Sequence, residues 1–172
     1  VIWFTSDTHY GHKKVIEYCN RPFAGVDEMD EALIARWNAL VSPDDHVYHL
    51  GDFAMGPDLA ARTKALRKQL KGKITLILGN HDRTVSFAQD AGFDEVLKVW
   101  TGELDGLKVW MRHHPPVRPE GWCGEYDLLL CGHVHEKWLH HGKLVNVGVD
   151  QWGYAPVTLN ELLFVAREGH RR

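Results

Sequence analysis

Ile74-Thr75-Leu76-Ile77-Leu78-Gly79-Asn80-His81-Asp82 is an apolar run that stops at a glycine and continues as three residues able to bind a metal or carry a proton. The run has the length and the Ile/Leu composition of a buried strand. The same sequence of events recurs along the chain. Val1 to Thr5 leads to Asp7 and His9, Val47 to Leu50 to Gly51-Asp52, Leu107 to Met111 to His113-His114, and Leu128 to Cys131 to Gly132-His133-Val134-His135. Leu144 to Val149 is a further run of this kind. Ordinary core packing gives no reason for strand after strand to end in metal-binding side chains. In an open α/β sheet, the edge beyond the carboxyl ends of the strands is where ligands bind.

Between the early runs lie helical patterns. Val26, Met29, Leu33, Trp37 and Leu40 fall on one face, as do Leu59, Thr63, Leu66 and Leu70. Asp27 is expected to cap the first helix, Pro57 to open the second, and Lys71-Gly72 to close it. Strand and helix alternation in the first half predicts parallel βαβ pairing. In the second half, Asp105-Gly106 and His141-Gly142 each suit a tight hairpin, so those strands are expected to be antiparallel or mixed. With 172 residues and 44% hydrophobic composition, the expectation is one domain over residues 1–172, with a loosely tied tail over 168–172.

A formal charge of −3 announces neither a disordered tail nor a generally basic nucleic-acid surface. Cys19, Cys123 and Cys131 are odd in number and lack CxxC spacing, which argues against a disulfide framework and for a cytoplasmic protein. The longest apolar runs fall far short of the ~20 residues of a spanning helix, so neither membrane insertion nor secretion is expected.

Twelve histidines are the oddity of the composition. The strand-end residues offer carboxylates, an amide oxygen and imidazoles, more donors than a single ion needs. Two ions sharing a bridging carboxylate would use them; such pairs lie roughly 3.5 to 4 Å apart and acidify a bridging water. Mixed nitrogen and oxygen ligation suits Mn, the leading choice, and also Fe, Co, Ni or Zn. The glycines before Asp52, Asn80 and His133 allow sharp turns or close approach to an ion. His140-His141 reads as a turn with nothing bound.

These residues, Asp7-Thr8-His9, Gly51-Asp52, Gly79-Asn80-His81-Asp82, His113 and Gly132-His133-Val134-His135, resemble in order the signature of the calcineurin-like metallophosphoesterases. The likeness runs from Val1 to about Val149, and Tyr48-His49-Leu50 and Asn146-Val147-Gly148 resemble a small bacterial and phage branch. The resemblance implies a four-layer α/β/β/α sandwich with two mixed sheets. It places one ion on Asp7, His9, Asp52 and His135 and a second on Asp52, Asn80, His113 and His133, with Asp52 as the bridge. His81 would face the substrate, stabilising phosphoryl charge or protonating the leaving oxygen, with Asp82 orienting its ring or capping the segment that begins near Thr84. His113-His114-Pro115 and His114-Pro115-Pro116 both satisfy the family's fourth motif. Leu107, Val109, Met111 and His113 share a strand face, which favours His113. Arg112 departs from the small polar residue common before that ligand.

The substrate is less legible. In the loop from Tyr10 to Val26, His12 and Arg21 are candidate substrate-binding residues; Arg21 could clamp a phosphate or pair with a carboxylate such as Asp27. Pro115 to Tyr126 is a candidate wall, where Trp122, like Trp152 further on, could stack on a base or simply pack. No insertion is long enough for a cap domain, so the site is expected to be open. The expected activity is hydrolysis of small phosphodiesters, cyclic nucleotides among them, with some monoesterase action. A nuclease and a non-catalytic interaction scaffold are the alternatives. The scattered lysines and arginines give no extended nucleic-acid groove, and oligomeric state is not expressed in the sequence.

Overall fold

A computed structural model describes residues 1–117 and 124–168. Two sheets form its frame. In the first, β1 (Ile2–Thr5), β2 (His46–His49), β3 (Lys73–Ile77) and β4 (Glu95–Leu97) run parallel, with β10 (Val157–Thr158) antiparallel beside β1, in the order β10-β1-β2-β3-β4. The second sheet has the order β5-β6-β7-β9-β8, from β5 (Trp100–Leu104), β6 (Leu107–Met111), β7 (Leu128–Cys131), β9 (Leu144–Asn146) and β8 (His140–His141). There β6, β7 and β9 are parallel, and β5 and β8 are antiparallel edges. Asp105 and Gly106, both at positive φ, make the β5–β6 turn.

Strand alternation divides the core. Val47, Ile74 and Leu76 face the helices α1 (Lys13–Tyr18), α2 (Val26–Leu40), α3 (Leu59–Gln69) and α4 (Val85–Ala91), packing with Met29, Leu33, Trp37 and Leu66. The opposite face carries Phe4, Tyr48 and Ile77, which meet Val109, Met111, Leu128, Leu130 and Val145 between the sheets. Leu162 and Ala166 of α5 (Leu159–Glu168) join that inner core, and α5 touches strands of both sheets. Outside the second sheet lies a smaller cluster of Trp110, Leu129, Cys131 and Leu144, covered by Tyr126 and Trp138. The architecture is therefore α/β, with two mixed sheets face to face.

Three local expectations need correction. The α2 cap is Gly25, not Asp27; Asp27 and Glu28 stand in the first turn, where their charge favours the helix N-terminus. Asp58 caps α3, so Pro57 lies just before the helix rather than in its opening turn. Leu40, at the exposed end of α2, is 45% accessible and leaves the buried stripe.

The detail that positions the site is where the sheets join. Ser6, just past β1, bridges Gly148, just past β9, and Val149 donates its backbone N–H to the Ser6 carbonyl. The carboxyl ends of β1, β2, β3, β6 and β7 consequently open onto one surface, and the loop after each delivers its side chains there.

Candidate metal centre

Asp52 is the focus. Its Oδ1 accepts the His81 backbone N–H at 2.9 Å. Its Oδ2 lies 3.5 Å from His9 Nε2, 3.4 Å from His113 Nε2 and 4.0 Å from His81 Nε2. On one side of it, Asp7 Oδ1 is 4.0 Å from His9 Nε2 and 3.7 Å from His135 Nε2. On the other, Asn80 Oδ1 is 3.0 Å from His113 Nε2, and the His133 ring lies 5.2 Å from that of His113. All seven side chains expected to hold ions are thus gathered into one cluster.

Backbone geometry in the loops is costly. Asp7, His9, Asp52, His133 and His135 all adopt left-handed φ values, between 47° and 70°. Residues with a Cβ resist this region by roughly 1–2 kcal/mol each, and such strain gathers at functional sites. Close approach adds to it: a Cβ on Gly79 would collide with the Asp52 carboxylate, and one on Gly132 with Ser6 and Asp7. Only glycine allows these chain segments to touch.

Electrostatics point to cations between the donors. Asp7 Oδ1 and His9 Nε2 are buried with no hydrogen-bond partner, an arrangement native interiors avoid unless something completes it. His113 donates through Nδ1 to the Leu50 carbonyl at 2.7 Å, which turns its Nε2 lone pair toward the oxygens of Asp52 and Asn80. Without a proton on Nε2 these lone pairs repel one another, and a proton or a divalent ion between them removes the repulsion. Burial opposes charging His113, but the hydrogen bond with Asp52 and the Asp7 and Asp52 charges outweigh it and raise its pKa. Burial also works against the Asp52 carboxylate, yet His113 and the His81 N–H hold its pKa below the ordinary value. Burial raises Asp7, and it drives His9 down to about 2. His133 falls to about 4 through burial and its histidine neighbours. The donor set fits divalent ions.

His135 has a carboxylate behind it, which the sequence did not reveal. Asp150 Oδ2 accepts from His135 Nδ1 at 3.0 Å, aiming Nε2 at the cluster. That bond, against the burial penalty, raises His135 to about 10. Asp150 also takes both arms of Arg21, at 2.8 and 2.9 Å, while Arg21 donates to the carbonyls of Asp7 and Thr8. Arg21 is therefore not a phosphate clamp, and its partner is Asp150 rather than Asp27; its side chain is fully enclosed and braces the first ligand loop. The run Asn146-Val147-Gly148 was the available hint, since Asn146 holds the His135 carbonyl from the same segment.

Asp82 also differs from expectation. Its oxygens accept the backbone N–H groups of Asp52, Phe53 and Gly79 at 2.8 to 3.0 Å, so it ties the second loop to the third instead of orienting the His81 ring. The α4 cap is Thr84, whose Oγ1 accepts from Phe87. His81 itself is 42% exposed at the mouth of the cluster. His12 stands beside it, its Nδ1 3.3 Å from His9 Nδ1 and its ring 6.5 Å from that of His81. His114 packs its ring 4.2 Å from that of His133, and one of its ring nitrogens lies within 4.8 Å of those of His113 and His133. A groove of about 730 Å³ runs from His114 and His133 along Trp110, Arg112 and Val117. Trp152 packs at the inner core and donates to the Asn146 carbonyl, which leaves it unsuited to stacking on a base. Trp122 and residues 169–172 of the expected tail lie outside the described residues. Among the described residues, no helix is long and apolar enough to cross a membrane.

The comparisons agree with this geometry. An uncharacterised protein of Methanocaldococcus jannaschii is 34% identical, over 98% of this chain and 92% of its own length. The Gene 66 protein of Mycobacterium phage L5 is 32% identical, over 88% of this chain and 87% of its own. Among solved structures, a protein of unknown function from Aquifex aeolicus superposes with a TM-score of 0.76 at 26% identity, covering 95% of this chain and 98% of that one. An archaeal phosphodiesterase shares the fold, with a TM-score of 0.51 at 20% identity over 86% of this chain and 81% of that one. Residues 1–152 match the family described as the calcineurin-like phosphoesterase superfamily domain, and the chain belongs to that superfamily of metal-dependent phosphoester hydrolases.

Proposed function

We propose that the chain hydrolyses small phosphodiesters, cyclic nucleotides among them, with weaker monoesterase action, at a centre of two divalent ions. The observation that carries this reading is Asp52 Oδ2, set between His9 Nε2 at 3.5 Å and His113 Nε2 at 3.4 Å, with a further set of donors on either side. One oxygen shared by two clusters is what a bridging carboxylate requires. Asp7, His9 and His135 complete one set; Asn80, His113 and His133 complete the other. Mn is the leading choice of metal, with Fe, Ni, Co or Zn also compatible with nitrogen and oxygen donors. When bound, such a pair acidifies water and neutralises charge on the attacked phosphoryl group.

The chain's own side chains supply the rest. Asp52 fixes the spacing, and Asp82 fixes Asp52 by gripping its backbone. Asp150 and Arg21 lock the His135 and Asp7 loops. His81, exposed at the mouth with Nε2 4.0 Å from Asp52 Oδ2, is placed to donate a hydrogen bond to the phosphoryl group or a proton to the leaving oxygen. His12 lines the same mouth. The chain acts as one catalytic domain whose site is open among the described residues, and the unpaired Cys19 and Cys131 fit work in the cytoplasm.

The test is hydrolysis of bis(p-nitrophenyl) phosphate beside p-nitrophenyl phosphate, by protein stripped with chelator and restored with Mn, Ni, Zn, Fe or Mg. Metal-restored turnover that favours the diester is the expected result. Two ions bound per chain without turnover on either ester would sink the reading.

A further inference from the structure

Asn80 and His114 also line a second, smaller pocket of about 250 Å³, and its other polar walls are Arg83, Lys98 and Arg112. The three cations come from the turn before α4, the link between β4 and β5, and the residue after β6, so only the fold assembles them. All three are exposed, and none makes an ion pair with a carboxylate among the described residues. Arg83 lies over the Phe87 ring at 5.5 Å, which steadies its direction. Three like charges around one hollow repel one another until an anion enters, whereas guanidinium and ammonium groups are the usual means of gripping phosphate. The volume is below the ~300 Å³ at which pockets for whole small molecules begin, and suits a single anionic group. Its position is equally specific, because Asn80 is one of the donors proposed for the second ion.

We propose that this pocket is a subsite for a second phosphate of the substrate. The preferred substrate is then a phosphodiester that carries a further phosphate next to the one being cut, as in a dinucleotide with a terminal phosphate. The inference rests on the phosphoesterase reading above and adds the substrate class. Three cations in a small hollow do not track a long strand, which needs a continuous basic groove.

The test compares kcat/KM for a thymidine dinucleotide bearing a terminal phosphate, at either end, with that for the same dinucleotide lacking it. Wild type is expected to favour one phosphorylated form by about tenfold or more, the scale of one charge-assisted contact. In the double variant Arg112→Gln with Lys98→Gln that ratio is expected to fall close to one; the ratio is the readout because it is insensitive to a general loss of rate. A second arm titrates pyrophosphate into chelator-stripped protein, where the double variant is expected to bind at least about tenfold more weakly. Turnover with no phosphate preference, or with a preference the variant keeps, overturns the subsite and leaves the phosphoesterase standing. No turnover on either dinucleotide, with pyrophosphate binding that depends on Arg112 and Lys98, overturns the phosphoesterase and leaves the anion site. Loss of both overturns both.

Discussion

The two sides of Asp52 are built to different standards. Asp7 and His9 are fully buried, and His135 has a carboxylate behind it that is itself clamped by Arg21. Across Asp52, Asn80 and His133 are exposed, and His113 is backed only by the Leu50 carbonyl. His133 has a second imidazole, His114, against its ring. A carboxylate behind a ligating imidazole fixes its orientation and raises its basicity, so the enclosed side is organised before anything binds. The open side borders both the large groove and the basic pocket. For the proposed two-ion centre the contrast implies a division of labour: one side would hold its ion as part of the scaffold, and the other would leave room for the substrate.

The most severe break of this comparison removes what the sides share. Asp52→Asn is expected to lower occupancy on both sides and to reduce turnover beyond the ~10⁴-fold that loss of an acid-base group costs. Metal content per chain and bis(p-nitrophenyl) phosphate hydrolysis measure the two effects, and normal occupancy of both sites would end the bridging assignment. Next in size is His81→Ala, expected to leave both ions bound while turnover slows by about 10²- to 10⁴-fold. Metal loss in that variant would make His81 a ligand and remove it from the chemistry.

The asymmetry itself is sharpened by changing what stands behind each side. Asp150→Asn is expected to weaken binding of one ion by about 10- to 100-fold and to lower the melting temperature, because the enclosed Arg21 charge loses its partner. His114→Ala removes the ring contacts with His113 and His133, together worth about 0.5–1.5 kcal/mol, but none of the proposed ligands, so metal affinity should fall by about tenfold at most, with little change in melting. Equal losses in the two variants, read by metal titration monitored calorimetrically, would erase the distinction between an enclosed and an open side.

The clustering of the proposed ligands was legible in the sequence because each stands directly after a strand with a strong apolar run, where local pattern alone determines position. Glu95–Leu97 carried no such pattern, and Trp100–Leu104 was marked only by the Asp105-Gly106 turn that follows it; β5 is an edge strand with three exposed residues in a row, and edge strands need not alternate. The α5 helix was also missed, although Leu159, Leu162 and Ala166 recur on one face; it follows β10 directly, with no loop residue to mark its start. Supporting roles were the least readable. Arg21 and Asp150 are separated by 129 positions, and nothing local marks either as the other's partner. Asp82 was visible as a neighbour of His81, but its bonds go to the Asp52 loop, thirty positions away. Arg83, Lys98 and Arg112 looked scattered because their clustering is a property of the two-sheet assembly. Sequence pattern reports what a residue does within its own strand or helix, whereas second partners arise from packing.

The last expected effect is on stability alone and concerns what stands behind the enclosed side. Asp30, on α2, accepts the Gly11 N–H with both oxygens at 3.0 Å, two residues beyond His9, and its side chain is only 13% exposed. Burial pushes its pKa up to about 6, more than the Gly11 N–H and Arg62 pull it down. A carboxyl whose folded pKa lies above its unfolded value binds protons more readily when folded, so stability falls as pH rises between the two. The contribution is complete below about 4 and lost above about 6. Asp30→Asn keeps an acceptor for Gly11 without the buried charge, so the variant should gain on wild type by about 2 kcal/mol between pH 4 and pH 8. Chemical denaturation of metal-free protein across that range measures the difference, and subtracting the two proteins cancels every other titrating group they share. A difference that stays flat with pH would mean that Asp30 is charged and well solvated in the fold, and that the loop carrying His9 is less tightly enclosed than its contacts imply.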